Sequence, residues 1–297
     1  MSPPFGGATV REALDSAVIA IAAAGSDTPR LDAELLLAEA LGIDRAALFT
    51  DSRRAVAGPA VRAFQDAVRR RSAGREPVAY ILGRRGFRHL ELAVDARVLV
   101  PRPETELLVE IGLELPAGAR VADIGTGSGA VALALKHERP DLDVVATDCS
   151  ADALAVARAN AARLGLAVAF VQGDLLDGVG EVGAVLSNPP YVAEGERAAL
   201  APEITRHEPP EALFAGADGL DVIRRLVPAA ARAGAELLAI EVGAGQAEAV
   251  AQLMRGAGFA AVAARRDLAG IERVVVGKRE PAMGAATNHP TSDGAQS

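Results

Sequence analysis

Aromatic residues make up only 3% of this 297-residue chain, and cysteine occurs once. No apolar run approaches the roughly 20 residues that cross a bilayer. Each scarcity excludes something. Few aromatics argue against a groove that stacks unpaired bases, and the lone Cys149 rules out an internal disulfide, in keeping with a reducing compartment. The histidines His89, His137, His207 and His289 are scattered without the spacing of a zinc site, so no metal is expected. The opening MSPPFGGATVREAL has neither a basic start before an apolar block nor an Arg/Ser-rich amphipathic character. No export or organelle signal is therefore expected, which places the chain in the cytoplasm, with no membrane partner.

What is present is ample apolar material, 50% of residues, and a net charge of −8. An acidic chain lacks the basic patch of a nonspecific nucleic-acid binder. The charge is uneven: residues 1–100 hold 14 Arg, no Lys and 12 acids, whereas the remainder holds 17 basic and 27 acidic residues. The Arg-rich stretches SRR, VRRRS and GRR within the first hundred residues read as solvated helix faces, with a partner-binding surface as the other reading.

Periodicity divides the chain into four parts. Residues 1–75 carry helical spacing: Thr9 and Glu12 form a capping box, Thr28 caps a helix that starts at Pro29 and stops at Gly42, and a third helix follows Pro59. Residues 76–103 carry short alternating apolar segments, expected as a linker with a β-hairpin. Residues 104–279 repeat strand, glycine turn and helix, which predicts an α/β domain with a parallel sheet covered on both faces. Residues 280–297 lack periodicity and are expected to be disordered.

In such a sheet, ligands sit beyond the carboxyl ends of the strands at the point where strand order reverses. That rule gathers Gly125–Gly129, Asp148, Asp174 and Asn188, each just after an expected strand. DIGTGSGA gives a tight turn whose glycines, Gly125, Gly127 and Gly129, let a ligand approach the backbone, with Thr126 and Ser128 between them. Gly125, Gly127 and Ala130 also fit the dinucleotide pattern G-x-G-x-x-A, with Asp148 placed to hold a ribose. Asp123 separates the two cofactors: its carboxylate repels a pyrophosphate but receives an ammonium. With Asp148 accepting from both ribose hydroxyls, and Asp174 and Leu175 reaching an adenine whose other face Cys149 covers, S-adenosylmethionine is the expected cofactor.

Together DIGTGSG, the Thr147-Asp148 pair, NPPY and the preceding VPRPETE resemble the HemK/PrmC family of methyltransferases. The likeness spans about Arg30 to Lys278 and includes RLDAELLLAEALG and EPVAYILG. It implies a seven-stranded Rossmann-like class I methyltransferase sheet with a small N-terminal helical domain that docks substrate. It also implies methylation of the glutamine in the GGQ motif of peptide chain release factors, with no direct nucleic-acid requirement. The competing activity is methylation of exocyclic amino groups of nucleic-acid bases, which uses the same NPPY. Leu175 departs from the aromatic residue that relatives often carry there.

The segment LSNPPYVAEG leaves an apolar strand through two prolines, which cannot continue a sheet and which stiffen the exit. A primary amide is a poor nucleophile, so its nitrogen must be aimed. The expected arrangement has the Asn188 side-chain oxygen and the Pro189 carbonyl accept the two amide N–H groups, Pro189 and Pro190 keep both still, and Tyr191 wall the amide. The resemblance implies that Arg102, Glu104 and Thr105 line the same crevice and that HEPPEAL shapes its substrate side, with His207 structural.

Overall fold

The computed structural model describes residues 8–279; the tail expected at 280–297 lies outside the described residues. The N-terminal part is helical: α1 (Val10–Ala23), α2 (Pro29–Leu41), the short α3 (Ala47–Thr50), α4 (Pro59–Ser72) and α5 (Val78–Leu82). The capping box forms as expected, with the Glu12 amide donating to Thr9 Oγ1 at 3.3 Å and the Thr9 amide to Glu12 Oε2 at 2.8 Å. Thr28 does not cap α2. Its hydroxyl instead donates to Asp32 Oδ1 at 3.0 Å, because Asp32 is drawn into a buried ionic network. The apolar VAYIL segment, which falls in the expected hairpin linker, is α5: Pro77 opens it, left-handed Gly83 closes it, and the Tyr80 hydroxyl donates to the Val98 carbonyl at 2.5 Å.

The hairpin follows, β1 (Arg84–Phe87) antiparallel to β2 (Leu90–Ala93), and then a coil in which Val98 and Val100 are buried without forming a strand. Tyr80, Val94, Val98 and Val100 pack on Ala153 and Val156, fastening the linker to the α/β domain. Asn160, fully buried, reinforces this contact. Its amide donates to the carbonyls of Ala93 and Ser128, at 3.0 Å each, and its oxygen accepts from the Ala93 amide at 2.7 Å.

The remaining elements are α6 (Glu106–Leu113), β3 (Arg120–Ile124), α7 (Ala130–Glu138), β4 (Asp143–Asp148), α8 (Ala151–Leu164), β5 (Ala169–Gln172), β6 (Ala184–Ser187), α9 (Pro202–His207), α10 (Asp221–Arg232), β7 (Leu237–Glu241), α11 (Ala247–Gly256), β8 (Ala261–Arg266) and β9 (Glu272–Lys278). They build a seven-stranded sheet of order β5-β4-β3-β6-β7-β9-β8. The five strands from β5 to β7 are parallel, but β9 runs antiparallel to both β7 and β8. The expected parallel sheet is thus mixed, because the few residues between β8 and β9 can close a hairpin but not a crossover. Apolar cores lie on both faces, and α1, α2 and α4 enclose a third. Among the described residues no helix is long and apolar enough to cross a membrane.

One ionic cluster joins the two parts of the molecule. Arg71, 7% exposed, donates to Asp32 Oδ2 at 2.6 Å, to Ser26 Oγ at 2.9 Å and to Glu203 Oε1 at 3.1 Å. Arg75 reaches the other oxygen of Glu203, and His207 bonds the Gly74 carbonyl at 2.9 Å. VRRRS is therefore not simply a solvated face: Arg71 is a clamp between α2, α4 and α9. Removing one partner from a buried ionic cluster strands the others without solvent. Arg71→Met should lower unfolding stability by about 3 kcal/mol or more, measured by urea titration; a change of only a few tenths would contradict the clamp.

Candidate active site

Register places the site. Ile124 pairs with Thr147 and with Ser187, and Ser187 pairs with Ile240, so β3, β4, β6 and β7 reach one level together. The next residues outward, Gly125, Asp148, Asn188 and Glu241, consequently share one edge. The chain order reverses between β3 and β6, where α/β sheets open a crevice. A cavity of about 250 Å³ occupies that place, lined by residues of the glycine turn, the β4 and β6 ends, the linker and the loop before α10.

The glycine turn is left-handed at Gly125 (φ 71°), Gly127 (φ 56°) and Gly129 (φ 85°), conformations that side chains resist. A Cβ on Gly127 would meet nothing within 4 Å, so its open side faces free space, whereas one on Gly129 would come within 2.9 Å of Leu133 Cδ1. The amides of Gly125 and Thr126 both donate to the Thr147 carbonyl at 2.9 Å, tying the turn to β4. Ser128 gives its carbonyl to Asn160 and so connects the turn to the hairpin.

Two acids hold this turn. Asp123, 2% exposed, accepts on Oδ2 from the Thr126 hydroxyl at 2.6 Å and from the Ala132 amide at 3.1 Å. Its Oδ1 has no hydrogen-bond partner among the described residues, and Asp123 lines the cavity. Burial, opposed by those two hydrogen bonds and aided by the Asp148 charge, pushes the carboxyl up to about 6. Such a group is short of a cation. Asp148 accepts from the Gly127 and Ser150 amides at 2.9 Å each, which leaves further lone pairs on both oxygens. Burial raises its pKa as well.

Cys149 is exposed and lines the cavity, as do Asp174 and Leu175. Asp174 is already ion-paired with Arg225 at the mouth, a partner the sequence did not suggest. Leu175 sits in the left-handed region at φ 54°, its carbonyl held by the Thr147 hydroxyl at 2.8 Å. Non-glycine residues rarely adopt that conformation, and such outliers concentrate at ligand clamps.

On the opposite side, Asn188, Pro189 and Pro190 line the cavity but Tyr191 does not. The Tyr191 hydroxyl turns toward Glu241 Oε1 at 3.4 Å, and its carbonyl accepts from Gln246 at 2.9 Å. Gly219 and Gly243 make room for it, since a Cβ on either would lie 2.1 Å from the Tyr191 carbonyl and 3.3 Å from its ring respectively. The structure therefore sets Tyr191 behind the corner, not as the wall the sequence led us to expect. Asn188 donates through Nδ2 to Thr105 Oγ1 at 3.1 Å, and Thr105 donates to Glu241 Oε2 at 2.6 Å. Among the described residues Asn188 Oδ1 has no hydrogen-bond partner.

Of Arg102, Glu104 and Thr105, only Thr105 is among the described residues lining the cavity, beside Pro101 of the same PRPET stretch. Arg102 is engaged by buried Glu208 at 2.6 Å, which diverts it from the crevice. From HEPPEAL, Pro209, Glu211 and Ala212 line the cavity, while His207 serves the interdomain contact. Sequence reasoning missed Glu241, although an acid ending the apolar strand LLAIE was the same signal that marked Asp148. Its carboxyl is 1% exposed and is pushed up to about 7, chiefly by burial.

Two sequence families match the chain: PrmC N-terminal domain over residues 12–83 and Methyltransferase small domain over residues 103–244. A release factor glutamine methyltransferase from Xylella fastidiosa is 45% identical over 278 residues, covering 89% of this chain and 98% of the relative. One of the same name from Deinococcus radiodurans is 43% identical over 277 residues, covering 91% and 98%. Among solved structures, the hMettl16 catalytic domain in complex with a 3'UTR hairpin superposes with a TM-score of 0.54 at 16% identity, over 75% of this chain and 82% of that one. That likeness shows the fold.

The tightest steric constraint in the turn is at Gly129. Gly129→Ala should cost about 1–3 kcal/mol through its left-handed backbone, read from denaturant unfolding, and a neutral substitution would show the turn to be more yielding than described.

Proposed function

We infer the function from the family to which the chain belongs, the release factor glutamine methyltransferases. It transfers a methyl group from S-adenosylmethionine to the side-chain amide nitrogen of a glutamine in peptide chain release factors, the glutamine being that of their GGQ motif. The reaction forms an N–C bond, breaks the S–C bond of the sulfonium and releases one amide proton. When bound, the cofactor supplies the electrophilic methyl carbon, and the chain supplies everything else.

The residues present fit that cofactor. Asp123 Oδ1, which has no hydrogen-bond partner among the described residues and belongs to a residue lining the cavity, is an acceptor suited to an ammonium, and Asp148 keeps lone pairs for ribose hydroxyls. The bare backbone at Gly127 permits close approach. Leu175 and Cys149 offer the cavity an apolar side chain and a thiol, and Asp174 an acceptor shared with Arg225. No aromatic side chain stands among the described residues lining the cavity. A flipped base usually calls for aromatic stacking, so this lining disfavours the base-methylating alternative.

The observation that carries the reading is the state of Asn188. Its nitrogen is committed to Thr105, which leaves Oδ1 to accept an N–H from the substrate amide. The Pro189 carbonyl accepts the other N–H, and the two prolines hold both acceptors still. With both protons held, the amide nitrogen's lone pair is aimed along one line, which lowers the entropic part of the barrier. No strong base is needed, because nitrogen becomes more acidic as it gains the methyl. Tyr191 supports the corner from behind. The helical domain of residues 1–75 docks the protein substrate, and the reaction belongs to the cytoplasm, where release factors act.

Two measurements test this. Asn188→Ala should lower kcat by about 10²–10³-fold with cofactor affinity by calorimetry largely unchanged, the methyl being located by mass spectrometry on a release factor rather than on added DNA or RNA. A near-normal rate would remove Asn188 from the mechanism. Cofactor affinity should also depend on pH. An ammonium prefers the Asp123 carboxylate to its protonated form, so affinity should fall, by up to about tenfold per pH unit, as pH drops through about 6. Asp123→Asn should weaken binding and flatten that limb; a wild-type affinity constant across it would refute the ammonium assignment.

A further inference from the structure

Behind the Asn-Pro-Pro-Tyr corner lies a polar chain of which the reaction as described uses only the first link. Asn188 Nδ2 donates to Thr105 Oγ1 at 3.1 Å, Thr105 Oγ1 donates to Glu241 Oε2 at 2.6 Å, and the Tyr191 hydroxyl reaches Glu241 Oε1 at 3.4 Å. Thr105 is 4% exposed and Glu241 1%, so water does not compete with either. A buried charge beside the sheet edge is costly unless it is hydrogen-bonded.

A threonine hydroxyl owns one proton, and an ionised carboxylate can only accept. The carboxylate therefore fixes where that proton points. Once the hydroxyl donates to Glu241, only its lone pairs face Asn188, and they can receive N–H but not C=O. The two ends of an asparagine amide have nearly the same shape, so the network decides which end faces where. Here it sends the nitrogen to Thr105 and frees the oxygen. Without an obligate acceptor at 241, the hydroxyl could turn round and donate to the Asn188 oxygen. The amide would then present N–H groups where the substrate amide needs an acceptor.

We propose that Glu241 is a positioning residue for methyl transfer, acting through the Thr105 hydroxyl to set the orientation of the Asn188 carboxamide and, through Tyr191, the seat of the corner. This rests on the reading of Asn188 as the acceptor for the substrate amide. The groups facing Glu241 are Thr105 and Glu104 from the turn before α6, Tyr191 from the corner, and Arg273 from β9. Burial is the largest influence and pushes the carboxyl up to about 7; Glu104 adds to this, while the Thr105 and Tyr191 hydrogen bonds and the Arg273 charge oppose it. A protonated Glu241 carries an O–H that can donate to Thr105, and the relay can then reverse. The active orientation is thus secured above that pH and loosened below it.

The test is steady-state kinetics at saturating cofactor with a release factor as substrate. Glu241→Gln keeps shape and volume but restores a donor at the end of the relay. It should lower kcat by about 10–100-fold, leave KM for the release factor nearly unchanged, and abolish the fall in kcat that wild type shows on acidification through about 7. A kcat within about twofold of wild type, or an unchanged acid limb, would overturn the proposal. Should Glu241→Gln fold poorly, Thr105→Val serves in its place: it should depress kcat in the same way, with Thr105→Ser recovering most of the loss because it keeps the hydroxyl. Equal rates for the valine and serine variants would likewise overturn it. If Asn188→Ala retains activity, the underlying reading of Asn188 fails. If Asn188→Ala is inactive while Glu241→Gln is normal, the relay alone fails.

Discussion

Parallel strands in register must end side by side, and neighbouring strands stand about 4.8 Å apart. In this protein that constraint sets a glycine, two acids and an asparagine in a row, as Gly125, Asp148, Asn188 and Glu241 follow the last paired residues of β3, β4, β6 and β7. Hydrogen bonds from side chains stitch the row together: Ser187 Oγ donates to the Ile124 carbonyl at 2.8 Å, and Thr147 Oγ1 to the Leu175 carbonyl at the same distance. Were one strand to slip by a residue, its inward and outward side chains would exchange. The glycine turn and the Asn-Pro-Pro-Tyr corner therefore depend on one alignment.

This end of the sheet carries an electrostatic cost. Asp123 and Glu241 are both buried, and burial lifts both carboxyls far above their usual range. Among the described residues neither has an ion-pair partner. Each is instead held by a threonine hydroxyl, Thr126 and Thr105 respectively, at 2.6 Å. The outcomes differ because the neighbours differ. Asp123 leaves an oxygen for an incoming charge, while Glu241 turns both oxygens to the protein and acts on the site through its partners.

The helical domain is not an appendage. The segment after Tyr191 carries Glu203 and His207, which grip Arg71, Arg75 and Gly74, and then Pro209, Glu211 and Ala212, which wall the cavity. Position of the helical domain and shape of the substrate side are consequently linked through about ten residues of one segment. Asn160 supplies a second tie, between hairpin and glycine turn.

The sequence by itself determined the alternation of strand and helix, the glycine turn and most of the residues facing the cavity, because local pattern and strand ends are short-range properties that propensity and periodicity record. Asp123, Asp148 and Asn188 were all legible as polar residues at the ends of apolar strands. Only the tertiary structure decided which charges were free to act. Arg71 met Glu203 across 132 positions, Thr105 met Glu241 across 136, and Arg102 was claimed by Glu208. It also made VAYIL a helix, reversed β9 and turned Tyr191 away from the cavity. Such pairings depend on which segments the sheet order brings together, and a buried polar group takes whatever partner lies within hydrogen-bond reach. The local pattern names the groups, and their partners are chosen in three dimensions.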